Sequence, residues 1–229
     1  DAGLHNDYGN VLLDMHRIDE ALGQYNEAAR IDPQMATAHH NIGLCLATKK
    51  NLDGAIQEFR EALELNPNEP HTQVFLGSAL GQKGDLKGAM EQLQQVIEKN
   101  PKDADAHLGA AFAFEQMKDT PSAIKELKIT LELKPDSPGA ENDLAWIYAT
   151  ADDLKFRDPG EALVLAREAV STSPEPNPAY LDTLAEALLL NGQPAEALAN
   201  ELRAVQLDPE NPELQSRLPR FREAARKVR

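Results

Sequence analysis

Small and large apolar residues recur in the same order between successive prolines of this 229-residue chain. In residues 36–67, ATAHHNIGLCLATKKNLDGAIQEFREALELNP, they follow the three- and four-residue spacing of amphipathic helices. The gaps between the prolines are 34, 34, 34, 39 and 35 residues, and the prolines are Pro33, Pro67, Pro101, Pro135, Pro174 and Pro209. A fixed period of this length is typical of stacked repeats. The pattern therefore predicts a pair of helices repeated six times.

Seven positions carry the repeat pattern, and in residues 36–67 they are His39, Ile42, Gly43, Leu46, Ala55, Phe59 and Pro67. The first repeat fills the same positions with His5, Tyr8, Gly9, Leu12, Ala21, Tyr25 and Pro33. With six copies in phase, the chain resembles the tetratricopeptide repeat family over residues 2–209. The resemblance implies an all-α fold in which helix-turn-helix units form a right-handed α-solenoid superhelix, in a variant seen in bacterial members.

Small residues occupy one position of each first helix and one position of each second helix. On the first helices they are Gly9, Gly43, Gly77, Ala111, Ala145 and Ala185. On the second helices they are Ala21, Ala55, Ala89, Ala123, Ala162 and Ala197. Because a larger side chain would push the two helices apart, we expect the helices of each pair to approach closely. Each pair then leaves apolar surface that only the next pair covers.

The expected repeats cover residues 2–35, 36–69, 70–103, 104–137, 138–176 and 177–210. A terminal helix in residues 211–229 is expected to cover the last repeat with an apolar stripe of Leu214, Leu218, Phe221, Ala225 and Val228. Pro219 is expected to kink or break this helix. Residues 210–229 carry a charge of +3, which fits a solvated cap, or alternatively a contact with an acidic partner or lipid.

The basic residues are unevenly distributed between the helices. The first helices contain no Lys or Arg, and they are predicted at residues 2–14, 36–48, 70–82, 104–117, 138–149 and 178–190. Their eight acidic residues are Asp7, Asp14, Asp105, Glu115, Glu141, Asp143, Asp182 and Glu186. In the family that the chain resembles, the first helices line a concave groove. The resemblance therefore implies a groove without cations.

Family members that hold an acidic peptide terminus do so with Lys, Asn and Arg at set groove positions. Here those positions carry Asn6, Asn10, Asn41, His71 and Phe75, so every cation is missing and this mode of binding is not expected. The neutral side chains toward the front of the groove suit an extended peptide backbone instead. The candidate residues there are Asn6, Asn10, His40, Leu44 and His71.

Apolar and acidic residues are predicted toward the back of the groove. The candidate residues are Asp105, Leu108, Phe112, Asn142, Trp146, Asp182 and Glu186. Buried aromatic area would supply affinity, while carboxylates would steer a basic partner. We therefore expect a partner segment that is apolar with basic flanks. The alternative is that Phe112 and Trp146 pack mainly against neighbouring helices.

The remaining residue types indicate no cofactor, metal site or catalytic motif. His5, His39 and His107 occupy one repeat position, where packing is favoured over a shared ion because each lies in a separate helix pair. The single Cys45 is expected to be a small buried residue. A net charge of −15 argues against nucleic-acid binding, and no apolar run is long enough for a membrane span, so a soluble protein of unknown compartment is expected.

Residues 150–158 lengthen the turn of the fifth repeat by five residues. Asp158 and Pro159 are typical of a helix start, so the extra residues are predicted to precede them. Turns of repeat proteins tolerate such insertions. A tolerated long turn is favoured over a contact loop, and Leu154 and Phe156 either tuck beneath the loop or contact a partner.

The sequence thus favours a non-catalytic scaffold or accessory subunit that binds other proteins or a peptide segment. One alternative is the repeat portion of a longer enzyme, such as a glycosyltransferase, since Asp1 looks like a processed or excised start. Another is a self-assembly module, because nothing is predicted to cap the first repeat. The sequence does not separate these alternatives.

Overall fold

The structure, a computed structural model, describes residues 1–227. It divides into two compact units, one of residues 1–118 and one that begins at Asp119. The described residues contain thirteen α helices, one short 3-10 helix and no strand. In chain order these are six helix pairs and one further helix, which confirms the predicted all-α fold of tandem pairs.

Seven helices form the first unit. They are α1 (Ala2–Asp14), α2 (Ile18–Ile31), α3 (Ala36–Thr48), α4 (Leu52–Leu65), α5 (Pro70–Lys83), α6 (Leu86–Lys99) and α7 (Ala104–Gln116). In the pairs α1/α2, α3/α4 and α5/α6 each first helix packs on its second helix, and each second helix packs on the next first helix. The apolar core therefore runs as linked clusters from one pair to the next, as in Leu12, Tyr25 and Ile42.

Close packing within the pairs of this unit depends on glycine. A Cβ atom built on Gly43 would lie 2.6 Å from Cε1 of Phe59, which is fully buried. Gly9 meets Tyr25 in the same way. The predicted close approach of the two helices is confirmed at these positions.

The second unit contains six α helices and the 3-10 helix. They are α8 (Thr120–Leu133), α9 (Pro138–Thr150), the 3-10 helix (Leu154–Phe156), α10 (Pro159–Thr172), α11 (Pro178–Leu190), α12 (Pro194–Leu207) and α13 (Pro212–Lys227). Consecutive helices pack on one another from α8 to α13. The predicted small positions are again fully buried, as at Ala145, Ala162, Ala185 and Ala197.

The terminal helix α13 packs on α12, which confirms the predicted cap. Leu214, Leu218 and Phe221 are buried along one side of it. Val228 belongs to the predicted stripe but lies outside the described residues. Of the kink or break predicted at Pro219, the break is wrong, because α13 continues through this residue. Pro219 is exposed, so water can bond to the carbonyl group that the missing N–H leaves unpaired.

Several helix ends follow the predicted chemistry. The Asp158 side chain accepts a hydrogen bond from the backbone N–H of Glu161 at 3.1 Å, so it caps α10, whose first residue is Pro159. Gly84 ends α5 with φ of 92°, a conformation that favours glycine. One boundary differs, because α5 includes Lys83 in its last turn, where it pairs with Asp53 of α4. Helix α5 is therefore a first helix that does carry a basic residue, Lys83, in its last turn.

Within the described part of the chain, no helix combines the length and the apolar character that crossing a bilayer requires.

Gly43→Ala is expected to destabilise the protein by about 1–3 kcal/mol, because the new methyl group would overlap the buried Phe59 ring. The matched control is Gly23→Ala in α2, where nothing lies within 4 Å of the new Cβ atom. Higher helix propensity should make that variant more stable by about 0.5–1 kcal/mol. Urea unfolding followed by circular dichroism measures both changes. Equal stability of the two variants would contradict a steric role for Gly43.

Candidate partner-binding surfaces

Three asparagines on α1 and α3 form a hydrogen-bonded cluster in the first unit. Asn41 Nδ2 donates to Asn6 Oδ1 at 3.0 Å and to Asn10 Oδ1 at 3.3 Å. Tyr25 Oη donates to the same Asn10 oxygen at 2.9 Å. These bonds orient the Asn6 and Asn10 side chains through their oxygens. Since the NH₂ groups of Asn6 and Asn10 make none of these bonds, the cluster presents N–H donors suited to carbonyl groups of an extended chain.

A cavity of about 280 Å³ opens between α3, α4 and α5. Its lining includes the side chains of Ala36, His40, Ala62, Glu69 and Phe75. It is called the His40 cavity below. His71 also lines it, so His40 and His71, two of the predicted candidate residues, do lie together. The lining is mainly apolar, with the Glu69 carboxylate as its acidic group.

Aromatic packing supports one wall of the His40 cavity. The Phe75 ring is 41% exposed although it stacks on the buried Phe59 ring with centroids 6.0 Å apart. The His40 ring meets Phe75 edge to face at 5.6 Å. Half of the Phe75 ring therefore remains open to a further apolar group. In the sequence, Phe75 stands only as the replacement of a clamp cation and Asn41 only as a clamp asparagine, so neither is among the candidate residues.

His40 is held as a neutral hydrogen-bonding group. Its Nδ1 lies 2.8 Å from Oγ1 of Thr72 on α5, which fixes the ring orientation. Burial lowers the pKa of His40, and the nearby Glu69 carboxylate opposes this shift only in part. At neutral pH the ring is therefore uncharged, and the cavity carries no cation from this residue.

The other predicted residues of the first unit have mixed roles. Leu44 packs against the core cluster that contains Phe59. Leu108 is half-buried, and Asp105 is exposed. The half-buried Phe112 lies at contact distance from Gly81 of α5, with 3.4 Å between its Cε1 and a Cβ built there. Packing against a neighbouring helix thus accounts for part of the Phe112 ring.

In the second unit, three predicted residues contact the terminal helix. The Arg217 guanidinium of α13 lies over the Trp146 ring, 4.8 Å from its centroid, and pairs with Asp182. Arg220 pairs with Glu186. The chain thus places its own basic side chains on residues predicted to attract a basic partner. Asn142 is also enclosed, since it is only 9% exposed and donates to Asp143 at 3.2 Å.

The sequence did contain a signal for these ion pairs. Arg217 and Arg220 follow Asp182 and Glu186 by 35 and 34 residues, which is one repeat period. Residues one period apart on successive first helices lie side by side, as Asn6 and Asn41 do. The arginines were assigned to a solvated cap or to a contact with an acidic partner or lipid, because they were not compared with the acidic residues one period earlier in the chain.

A buried carboxyl pair lies beneath these contacts. Glu201 of α12 is fully buried, and Asp182 of α11 is 6% exposed. Burial, with the Asp182 charge as the second cause, raises the pKa of Glu201 to about 7. Burial also raises the pKa of Asp182, while Arg217 opposes that shift. Within residues 1–227 neither Glu201 oxygen has a hydrogen-bond donor, so ionising Glu201 is costly.

The histidines at the shared repeat position pack between chain segments. His39 Nδ1 lies 2.8 Å from Glu58 of α4, and His5 Nδ1 lies 2.8 Å from Gln24 of α2. His107 Nε2 lies 3.1 Å from the Pro101 carbonyl oxygen. In the described residues no three His, Cys, Asp or Glu side chains are grouped to hold a metal ion.

Glu201→Gln is expected to stabilise the protein at pH 8 and to lose this advantage toward pH 5. Because the folded-state pKa is about 7 and the ordinary value is 4.5, the folded protein binds more protons between them, and its stability falls as pH rises. The gain at pH 8 should be on the order of 1–3 kcal/mol. Urea unfolding from pH 5 to 8 measures it, with the exposed Glu196→Gln on α12 as control. A gain independent of pH would contradict the raised pKa.

Comparisons with known proteins agree with this architecture. Sequence profiles described as tetratricopeptide repeat match residues 7–70 and 79–147, more than half of the chain together. No curated protein sequence matches significantly.

Several solved structures share the fold. A chain of the APC/C hetero-tetramer Cut9–Hcn1 superposes with a TM-score of 0.85 at 19% identity, over 96% of this chain and 43% of that chain. The present chain therefore spans less than half of that protein. PilF of Pseudomonas aeruginosa gives 0.72 at 18% identity, over 94% of this chain and 95% of its own. YrrB, described as having an unusual peptide-binding site, gives 0.56 at 22% identity, over 83% and 92%.

The recurring small residues and the packed helix pairs indicate the same repeat as the matched sequence profiles. The chain belongs to the tetratricopeptide repeat family.

Proposed function

We propose that this protein is a non-catalytic scaffold that binds a segment of another protein on its first unit. The binding surface is formed by Asn6, Asn10, Asn41, His40 and Phe75, and is called the front surface below. The observation that carries the proposal is the His40 cavity, whose lining residue His40 directly precedes Asn41 of the asparagine cluster on α3. A partner side chain fills the cavity while its backbone bonds to the asparagines.

The chemistry of the His40 cavity defines the side chain that fits. Ala36 and Ala62 leave space, and the exposed face of Phe75 offers aromatic contact. An aromatic residue placed there would bury the open part of the Phe75 ring and gain edge-to-face contacts. The occupant is therefore an aromatic or large aliphatic side chain.

The charges around the front surface define the flanks of the partner segment. His40 is neutral, Glu69 lines the cavity, and Asp7 of α1 is exposed. A basic residue beside the anchor gains from these carboxylates, whereas an acidic residue is repelled. The predicted partner is thus apolar with basic flanks. The peptide-binding site described for YrrB supports peptide binding as a use of this fold but does not locate the site here.

Selection of random twelve-residue peptides against the protein tests this proposal. Enriched peptides are expected to carry an aromatic or large aliphatic residue next to Lys or Arg. Phe75→Ala should weaken binding of a selected peptide by about tenfold, since removing a partly buried aromatic contact costs about 1–2 kcal/mol. Asn26→Ala on α2 is the control, because Asn26 bonds only to its own helix, at Leu22 O.

Two results would contradict the front surface as the binding site. One is that selection on the wild-type protein enriches no peptide beyond those that selection on the Phe75→Ala variant enriches. The other is that enriched peptides bind the wild type and Phe75→Ala with equal affinity. Circular dichroism of each variant separates loss of binding from loss of folding.

A second candidate function, self-association, is favoured by the exposed side of α1. Leu4, Tyr8, Val11 and Met15 are between 51% and 69% exposed and follow a four-three-four spacing. The equivalent side of α3, with Ile42 and Cys45, is buried against the first helix pair. Helix α1 therefore presents a stacking face to solvent that its counterparts bury.

Sedimentation at increasing protein concentration tests self-association. A second copy bound to α1 would give a concentration-dependent rise in mass, which Val11→Glu abolishes by placing a charge within the apolar stripe. Val164→Glu on α10 is the matched control, since Val164 is 50% exposed. A wild-type protein that stays monomeric at the highest concentration eliminates this candidate.

A further inference from the structure

The residues inserted between α9 and α10 adopt a held conformation. Arg157 Nε donates to the carbonyl oxygen of Ala151 at 2.7 Å, at the end of α9. The backbone N–H of Asp158 donates to Tyr148 O at 3.0 Å. These bonds tie the end of the turn back to α9. The insertion is therefore a built element of the second unit, positioned against the helices on either side.

The insertion borders an open cavity of about 370 Å³ against α8 and α9. It is called the insertion cavity below. Its apolar lining comes from Pro121 and Ile124 of α8, Tyr148 of α9 and Phe156 of the 3-10 helix. Phe156 is half-buried there, which agrees with the alternative that this side chain tucks beneath the loop. The cavity thus offers apolar and aromatic side chains beside its polar ones, and these can contact an apolar group.

The charged lining of the insertion cavity is mainly cationic. Lys128, Lys155 and Arg157 line it, against one carboxylate, Asp158, which is engaged in capping α10. Lys128 is exposed and has no carboxylate partner among residues 1–227. Lys155 pairs with Asp153 at 2.7 Å, but both side chains are more than half exposed, so this pair holds Lys155 only weakly. In a chain of net charge −15, this cavity favours anions.

We propose that the insertion cavity is a second docking site, for a partner-protein segment in which an acidic side chain adjoins an apolar one. The apolar side chain enters between Ile124, Tyr148 and Phe156. The carboxylate meets the ammonium groups of Lys128 and Lys155. This chemistry is opposite in charge to that of the front surface, so the two sites select different segments.

The exposed Leu154 identifies a protein segment as the occupant. This side chain is 71% exposed, although its neighbours Lys155 and Phe156 both line the cavity. A small carboxylic acid inside the cavity would leave Leu154 in water. A peptide that enters the cavity and continues across the 3-10 helix covers it, and gains apolar area by doing so.

The test uses two matched pairs of probes and nuclear magnetic resonance of the ¹⁵N-labelled protein. The first pair is 3-phenylpropanoate and its uncharged amide, which have the same shape. The second pair is an eight-residue peptide of Ser and Gly with Leu-Glu-Phe at its centre, and the same peptide with Leu-Gln-Phe. The acid and the Glu peptide are expected to shift the amide signals of residues 148–158, and their neutral counterparts are expected to bind about tenfold more weakly.

Variants locate the site. Lys128→Gln with Lys155→Gln should weaken binding of the Glu peptide by about tenfold, because hydrogen bonds to charged groups are lost while the side chains remain long and polar. The control is Lys125→Gln, since Lys125 lies on the same helix, is exposed and does not line the cavity. Leu154→Ser should weaken the Glu peptide and leave 3-phenylpropanoate unchanged.

Three results would overturn the proposal. Equal binding of the acidic and neutral probes, or no binding of any probe, would remove the role of the cations. If Lys125→Gln weakened binding of the Glu peptide as much as the double variant at Lys128 and Lys155, the effect would be a general one of protein charge. Binding of 3-phenylpropanoate without the Glu peptide would make the cavity a small-carboxylate site, not a docking site. None of these results depends on Phe75 or the front surface.

Discussion

The contact between a glycine on one helix and a large buried side chain on its partner is the constraint on which the first unit depends. At Gly43 the Phe59 ring fills the volume that a side chain would take, so the two helices approach across a single aromatic ring. This contact uses one side of the first helix. The previous second helix covers another side, as at Ile42. His40 and Asn41 of the same helix make further contacts, His40 with Thr72 and Asn41 with Asn6 and Asn10.

The period predicted most of the fold, because local rules set helix starts and ends. Asp158 and Pro159 start α10 as predicted, and Gly84 ends α5, since capping and positive φ depend only on nearby residues. The break at Pro219 was mispredicted for the opposite reason. The cost of this proline depends on whether the freed carbonyl group meets water and whether buried neighbours hold both halves of the helix. Leu214 and Phe221 are buried on either side of it, and this is tertiary information.

The sequence could predict which residue types form the candidate site, but it could not predict which side chains contact one another. The repeat places His40 at a position equivalent to residues of the other first helices. Only the structure shows that Thr72 orients the His40 ring and that Phe75 stays partly exposed. Long side chains are the hardest to place. Arg217 can reach water, a partner or a neighbouring helix, and it lies over Trp146 and on Asp182. The buried Glu201 beneath makes that choice favourable, because Arg217 is the cation that offsets a carboxyl pair removed from water.

An insertion at a turn gives a repeat protein a new surface at low structural cost. The ends of α9 and α10 keep their pairing, because Asp158 both caps α10 and bonds through its backbone to Tyr148. The residues between them are then unconstrained by the small positions that the helix pair requires. They hold two cations and an exposed leucine, groups that would be costly on a buried helix face. Close packing excludes large or charged side chains at the small positions of the helix pairs. The turns between helices carry no such restriction, so charged and exposed apolar residues can be added there.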